Sequence, residues 1–583
     1  MSSDKSKACM AQPATKEPIK DGREILVDVT ISNRDNEEVV NTEAQVGVQN
    51  IEGVTAAWTT TALVIAYILM WLIYFVEGVF SGMQAALNPF VTSAFAMHSL
   101  TPTVSIVSSV IGGCTNFTVA KMLDVLGRPT GYLICIVIAT MGFIMMAACR
   151  TVEAYAAALI FYTVGNTGLQ YTLSVFIADT SSLRNRGLMQ AFATSANLIT
   201  CWLAGPISTG FLNGPGWPWA FGAFSILVPA FSLPLYGLLQ YYDLKAQRLN
   251  IVPGRNSHGA VWHSILYYCR EFDAVGLVLL SAGAALFLLP FNLYLLQPKG
   301  WDSPLIICLL VFGVVLLLLF VAWERFFAPV TFIPYSLLLD RTLLGACILS
   351  ATLFFSYSCW ASFLSSFLQV VNNLSLTDAS YVMQIQTVGS VLFSFVAGAV
   401  IRYTGHFKPV CLYFAIPLII LGTGLMIYFH QPHSVGFIVM CQIFMAFASG
   451  ILIVCDEIAA LAAAEHQHVA VVIATISFSG SIGGAIGLTV AGAIWQVVLP
   501  KKLAEFLPAS ELPALITIYT DLETQLSYAV GSPARVAIER AYGSAQGSLL
   551  IAATSIWALG FLGVLMWRNI NVKEVKQVKG QVV

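Results

Sequence analysis

From residue 60 onward the chain is a succession of apolar runs separated by short polar breaks. The runs fall near 61–88, 101–120, 130–149, 154–178, 188–210, 218–240, 273–296, 303–324, 342–369, 379–401, 409–429, 434–459, 467–497 and 546–568. Crossing a hydrocarbon core of ~30 Å takes about 20 helical residues. Lipid offers no partner for an open backbone, so each run is expected to be a helix that satisfies its own N–H and C=O groups. The pattern predicts an all-α membrane protein of fourteen transmembrane helices. Residues 1–56 are polar, mixed in charge and poor in aromatics, the composition of a disordered tail. No short apolar core with a small-residue cleavage site precedes the first span, which is therefore expected to act as an uncleaved targeting signal.

Composition agrees with this pattern. Of 583 residues, 57% are hydrophobic and 10% charged, and the mean hydropathy is +0.79, whereas soluble chains are about a quarter charged. The partner this demands is a lipid bilayer. The net charge of −2 from 28 basic and 30 acidic residues gives no footprint for nucleic acid. The placement of the charges is more informative. Lys121, Arg128, Arg184, Arg186, Lys245, Arg248, Arg255, Arg270, Arg325, Arg341, Arg402 and Lys408 fall in loops on one side, and Arg150 and Lys299 fall in short loops on the other. The positive-inside rule then puts both termini in the cytoplasm, in agreement with Lys573, Lys576 and Lys579. The twelve cysteines are scattered singly, without C-x-x-C spacing, so neither a zinc site nor a disulfide framework is indicated. No cofactor is implied and no enzymatic constellation is visible.

Two connections exceed the usual short turns. Residues 241–272 form a basic linker, and residues 498–545 a long loop before the last span, which could cover an outward-facing mouth.

Polar residues inside the spans mark candidate chemistry. Span four carries Tyr162, Asn166 and Gln170 at four-residue intervals, which places them on one helix face, and ends in the charged cluster Asp179, Arg184 and Arg186. Glu77 lies in span one, with Tyr74 one turn before it and Gln84 about two turns after. Asp456 and Glu457 lie in span twelve, roughly 100° apart around the helix, so one of the pair is expected to be structural. An ionised carboxylate at mid-membrane costs roughly 2.5–3.5 kcal/mol or more. Burial favours the neutral form of a carboxyl group, which suits such a group to load and release a proton. Span nine places Phe354, Tyr357, Trp360, Phe363 and Phe367 three or four residues apart, a stripe that could line a cavity or pack against other helices. Gly480 with Gly484, and Gly483 with Gly487, in span thirteen form small-x-x-x-small pairs, expected to be packing surfaces. Asn116 begins an N-x-T acceptor inside span two and should be unused, whereas Asn373 begins one in an outer loop that could be glycosylated.

The loop after span two, AKMLDVLGRPTGY, sets Asp124 four residues before Arg128 around Gly127. It resembles the signature loop of the major facilitator superfamily, with Ala120 replacing the first Gly and Val125 a base. A degenerate copy, GAVIRYTGHFKP, follows span ten. IADTSSLRNRGL, REFDAVGLVLLSAG and GSPARVAIERAYGSAQ resemble segments of the fungal siderophore–iron transporter family within that superfamily, a likeness that extends over all fourteen spans.

This resemblance implies two six-helix halves, 57–243 and 341–570, rocking about a midplane site. Residues 244–340 would hold a linker and the inserted helices seven and eight, and 571–583 a cytoplasmic tail. Spans one, four, nine and twelve would line the cavity. Tyr74, Gln84, Tyr162, Asn166, Gln170, Tyr357, Trp360 and Phe363 would bind substrate, and Glu77, Glu457 or Asp456 would couple protons. Asp124, Arg128, Asp179, Arg184 and Arg186 would form a cytoplasmic gate. The implied activity is proton symport of ferric siderophore by a monomer that handles iron only as a finished chelate and needs no metal site of its own. The plasma membrane is the expected location, an endosomal or vacuolar membrane the alternative. A competing reading is a proton-coupled exporter of drugs or of small peptides such as glutathione. Exporters of the superfamily carry a Gly-Pro run in span five, and CWLAGPISTG keeps only Gly205, Pro206 and Gly210 of it.

Overall fold

The computed structural model describes residues 58–94, 101–181, 183–248, 273–294, 297–328, 339–428, 435–463 and 469–573. The expected N-terminal tail, most of the linker after span six and the last ten residues lie outside the described part. Among the described residues the only regular elements are helices. They are α1 (Thr60–Ala94), α2 (Thr101–Leu126), α3 (Arg128–Ala148), α4 (Val152–Thr180), α5 (Leu183–Thr194), α6 (Asn197–Asn213), α7 (Trp217–Arg248), α8 (Ala274–Leu288) and α9 (Pro304–Phe326). Then follow α10 (Arg341–Ala361), α11 (Leu364–Val370), α12 (Leu376–Thr404), α13 (Ile416–Tyr428), α14 (Val435–Ala462), α15 (Val469–Phe506), α16 (Leu515–Thr520), α17 (Leu522–Ser527), α18 (Pro533–Ser555) and α19 (Trp557–Met566).

Twelve helical stretches among the described residues are long and apolar enough to cross a membrane. The two expected spans outside this set have physical reasons to differ. The 29-residue α4 is long enough but carries a polar face through its middle. The run 188–210 is interrupted at Ser195–Ala196, which leaves α5 of 12 and α6 of 17 residues.

Local chemistry sets the ends. Thr151 Oγ1 accepts the Ala154 N–H at the start of α4, Asp340 Oδ1 accepts from Thr342 and Leu343 at the start of α10, and Ser375 Oγ accepts from Asp378 at α12. Each satisfies an N–H that the first helical turn leaves orphaned. The two related loops turn on glycines in positive φ, Gly127 at 83° and Gly405 at 81°, a conformation that costs other residues a steric clash.

The long outer loop is shorter than the sequence suggests. Leu499, Leu503 and Leu507 recur every fourth residue and are buried, so α15 continues through Pro500 to Phe506. At the far end Ser532 Oγ accepts the Arg535 N–H at 3.2 Å, Pro533 takes the first helical position, to which its missing N–H suits it, and α18 starts there. The linker likewise shortens, because α7 extends to Arg248.

Helices α1–α7 pack among themselves, as do α10–α19, and the two groups meet along two seams: α2 against α15, and α5 with α6 against α12. The second seam is close enough that a Cβ on Gly398 would stand 3.1 Å from the Gly187 carbonyl carbon. Helix α8 packs on α2, and α9 packs on α8. Asp273 Oδ1 joins this pair by accepting from Gly276 N–H at 3.2 Å and Trp323 Nε1 at 2.8 Å. Phe312, Leu318 and Val321 of α9 are exposed apolar residues, as a helix facing lipid requires.

Candidate functional site

A cavity of about 600 Å³ lies between α2, α4, α5, α10, α14 and α15. A second lobe of about 280 Å³ adjoins it, bounded by α5, α6, α10, α12 and α14, and the two share Gln190, Leu353, Phe354, Tyr357 and Ile453. The lining is mostly hydroxyls, amides and aromatic edges, with Asp456 and Glu457 the charged residues.

Asn166 and Gln170 of α4 both face the cavity. Behind them stands Glu77, 7% exposed. Gln170 Nε2 donates to its Oε2, and the Asn166 amide, turned with its nitrogen toward the carboxylate, donates to the two oxygens at 3.1 and 3.3 Å. Span one, expected to line the cavity, therefore contributes its carboxylate one side-chain layer back, reached through two amides. Tyr74 is buried beside it, near Ser174. Tyr162 is not part of the lining: it packs against Phe80 and Phe143 at 4.9 and 5.0 Å between ring centroids. Each four-residue step drifts ~40° round the helix, so two steps turn Tyr162 ~80° away from Gln170. Gln84 lies near Tyr155, also outside the lining.

Asp456 and Glu457 both line the cavity although they point roughly 100° apart, because the lining wraps far enough around α14 to include adjacent positions. Asp456 is 5% exposed, and its Oδ1 has no hydrogen-bond partner among the described residues. Glu457 interacts electrostatically with Arg186 of α5.

The aromatic stripe of span nine is broken. Helix α10 stops at Ala361 and α11 begins at Leu364, so the residues beyond the break face elsewhere. Phe354 and Tyr357 line the cavity, each 45% exposed. Trp360 and Phe363 are buried in packing: Phe363 stacks on Trp495 at 3.9 Å with planes 4° apart, and the Trp360 carbonyl accepts from Gln546 Nε2 at 2.8 Å. Phe367 is also buried.

At the basic end of the bundle Arg128 Nη2 pairs with Asp179 Oδ2 at 3.3 Å, joining the loop after α2 to the foot of α4. Arg186 is 1% exposed and donates through Nη2 to Ala178 O at 2.9 Å and Ser181 O at 3.4 Å. The side chains of Asp124 and Arg184 lie outside the described residues. In the degenerate copy the corresponding cation, Lys408, donates to Leu565 O at 2.9 Å and Trp567 O at 2.5 Å. It caps the carbonyl end of α19 and, among the described residues, makes no ion pair like that of Arg128 with Asp179.

The far end is held by a residue the sequence reading passed over. Arg535 of α18, 1% exposed, donates to Gln525 O at 2.6 Å, Val370 O at 2.8 Å and Gln369 O at 3.2 Å, and its Nε lies 3.5 Å from Glu539 Oε1. Gln525 Nε2 donates to Ile518 O at 2.5 Å and its Oε1 accepts from Tyr542 at 2.5 Å. The outer loop is thus a packed cap tied to the end of α11. Asn373, just beyond, is exposed with φ 51°, a left-handed conformation asparagine tolerates.

Asn116 also lines the cavity, as do Gly480 and Gly484, whereas Gly483 and Gly487 pack on the α10 backbone at Ala351 and Phe355. Their spacing suggested close packing; it could not say that one edge of α15 borders open space. Among the described residues no group of three or more His, Cys, Asp and Glu gathers to hold a metal ion.

No family model matches the chain. The chain is 48% identical over 550 residues to the MFS siderochrome iron transporter 1 of Ajellomyces capsulatus, covering 94% of each chain. It is 42% identical over 553 residues to the MFS siderochrome iron transporter D of Aspergillus fumigatus, covering 94% of this chain and 92% of that one. In fold it is similar to the human organic anion transporter MFSD10, with a TM-score of 0.51 at 11% identity over 84% of this chain and 98% of that one.

Proposed function

The chain belongs to the major facilitator family of siderochrome iron transporters, and on that premise we propose that it imports ferric siderophore by proton symport through the cavity between α4, α10 and α14. The observation that carries this reading is the pairing of that cavity with a buried carboxylate: Glu77 is linked to the lining through Asn166 and Gln170. A proton taken by Glu77 would change what those two amides can offer a guest, which couples loading of the proton to binding of the chelate. Glu457 and Asp456 are the rival coupling groups, since they meet the cavity directly.

In this reading the chain has fourteen spans, α4 and the α5–α6 pair completing the twelve, with α8 and α9 an inserted pair. The two helical groups rock about the seams at α2–α15 and α5/α6–α12. Both termini are cytoplasmic, the membrane is the plasma membrane, and the monomer is the working unit. The Arg128–Asp179 pair holds the cytoplasmic gate. One proton crossing ~100 mV gains ~2.3 kcal/mol. A pH difference of about one unit adds ~1.4 kcal/mol, together enough for several-hundred-fold accumulation of a neutral chelate.

The test is uptake of radiolabelled iron, presented as a panel of ferric chelates, by cells lacking other siderophore transporters, with and without a protonophore. Uptake abolished by the protonophore supports symport. A fall in cell content on expression would favour export and overturn the reading.

A further inference from the structure

The cavity offers a guest amides, hydroxyls, aromatic rings and two carboxyl groups, and among its described lining residues there is no Lys, Arg or His. The adjoining lobe is uncharged. Arg186, which interacts with Glu457, is 1% exposed and commits a nitrogen to two backbone carbonyls, so it is not presented to a guest. Asp456 lines the cavity with an Oδ1 that has no partner among the described residues.

Ferric chelates differ in charge by their chemistry. Three singly charged hydroxamates neutralise ferric iron, whereas three doubly charged catecholates leave a trianion. Resting on the ferric-chelate reading above, we propose that the cavity is a charge filter: it accepts ferric chelates of zero or positive net charge and rejects anionic ones, with Asp456 and Glu457 as the specificity-determining residues. An anion entering this cavity loses its hydration and meets no cation among the described lining residues in return. If the two carboxyls are ionised they repel it; if they are protonated they supply only dipoles. In both states the balance runs against the anion. A neutral trihydroxamate meets neither cost, and a cationic arm on such a chelate finds Asp456. Specificity here comes from what the wall withholds as much as from what it offers.

The experiment measures binding to the full-length protein in lipid vesicles by quenching of tryptophan fluorescence, with a neutral ferric trihydroxamate and a ferric tricatecholate as probes. The wild type should prefer the trihydroxamate by roughly a hundred-fold or more, as like-charge juxtaposition without compensation demands. Asp456→Asn and Glu457→Gln should each narrow that ratio, by about ten-fold for the more exposed charge. Ser477→Lys, which sets a cation in the wall, should raise tricatecholate affinity, and it keeps the test decisive if Asp456→Asn does not fold. Equal affinity of the wild type for both chelates would overturn the filter alone, as would a preference that none of the three variants narrows. A folded protein that binds neither chelate would overturn the ferric-chelate reading itself.

Discussion

Arg535→Met removes the guanidinium that ties the outer cap together while keeping most of the side-chain volume. The wild-type group is 1% exposed and serves three carbonyls, Gln525 O, Gln369 O and Val370 O. Hydrogen bonds to a charged group contribute ~1.5–3 kcal/mol each, which for three gives an upper figure of about 9 kcal/mol. Breaking a buried ionic cluster by removing one member typically costs ~3–5 kcal/mol, because the abandoned groups relax and gain some water. The lower range is the expected one, since Glu539 is half-buried and can turn to solvent. The loss is local: residues 507–532 should detach from the end of α11 before the bundle unfolds. Limited proteolysis of protein in vesicles should show faster cleavage within the loop, and thermal unfolding in detergent should drop on the order of 5 °C. Arg535→Lys should recover little, because an ammonium cannot span the three carbonyls that the planar fork reaches. A Met variant with unchanged loop protection and a melting temperature within about 1 °C of wild type would refute the assignment of the cap to Arg535.

Glu77→Gln keeps the size of the protonated acid and removes titration, so chelate binding and counterflow should survive while pH-driven accumulation is lost; full accumulation would pass the coupling role to Glu457, tested by Glu457→Gln. Arg128→Ala breaks the pair with Asp179 and should slow the transport cycle several-fold with little change in chelate affinity, whereas vanished affinity in a well-expressed variant would mean the pair shapes the binding site.

Twelve of the fourteen expected spans were legible because lipid imposes a single requirement, an apolar run closed on its own hydrogen bonds, that composition alone reveals. The four-residue spacing of Asn166 and Gln170 was likewise enough to set them on one face. What meets that face was not legible: Glu77 comes to them from another helix 93 residues away, and no local signal encodes such a contact. Periodicity failed in span nine for two reasons: within α10 each three-residue step drifts ~60°, which turns Trp360 ~120° from Phe354 and into the packing, and the break at Ser362 and Phe363 re-aims the residues after it. The loop before the last span is shorter than the apolar runs imply, because Pro500, Lys501 and Lys502 interrupt the apolar pattern, while the leucines at 499, 503 and 507 that carry α15 past them show their burial only in the packed structure. Arg535 lies in the segment GSPARVAIERAYGSAQ, yet its carbonyl partners lie partly on α11, 165 and 166 residues away.

The central claim is that this chain moves a ferric siderophore with a proton through the cavity beside Glu77. The most direct measurement uses purified protein in sealed vesicles, with an imposed pH gradient as the only energy source and a labelled neutral ferric trihydroxamate outside. Symport predicts accumulation above the external concentration when the exterior is acidic, proton entry in step with iron, and collapse of both when a protonophore is added. Equilibration without accumulation, or accumulation unchanged by the protonophore, would contradict it.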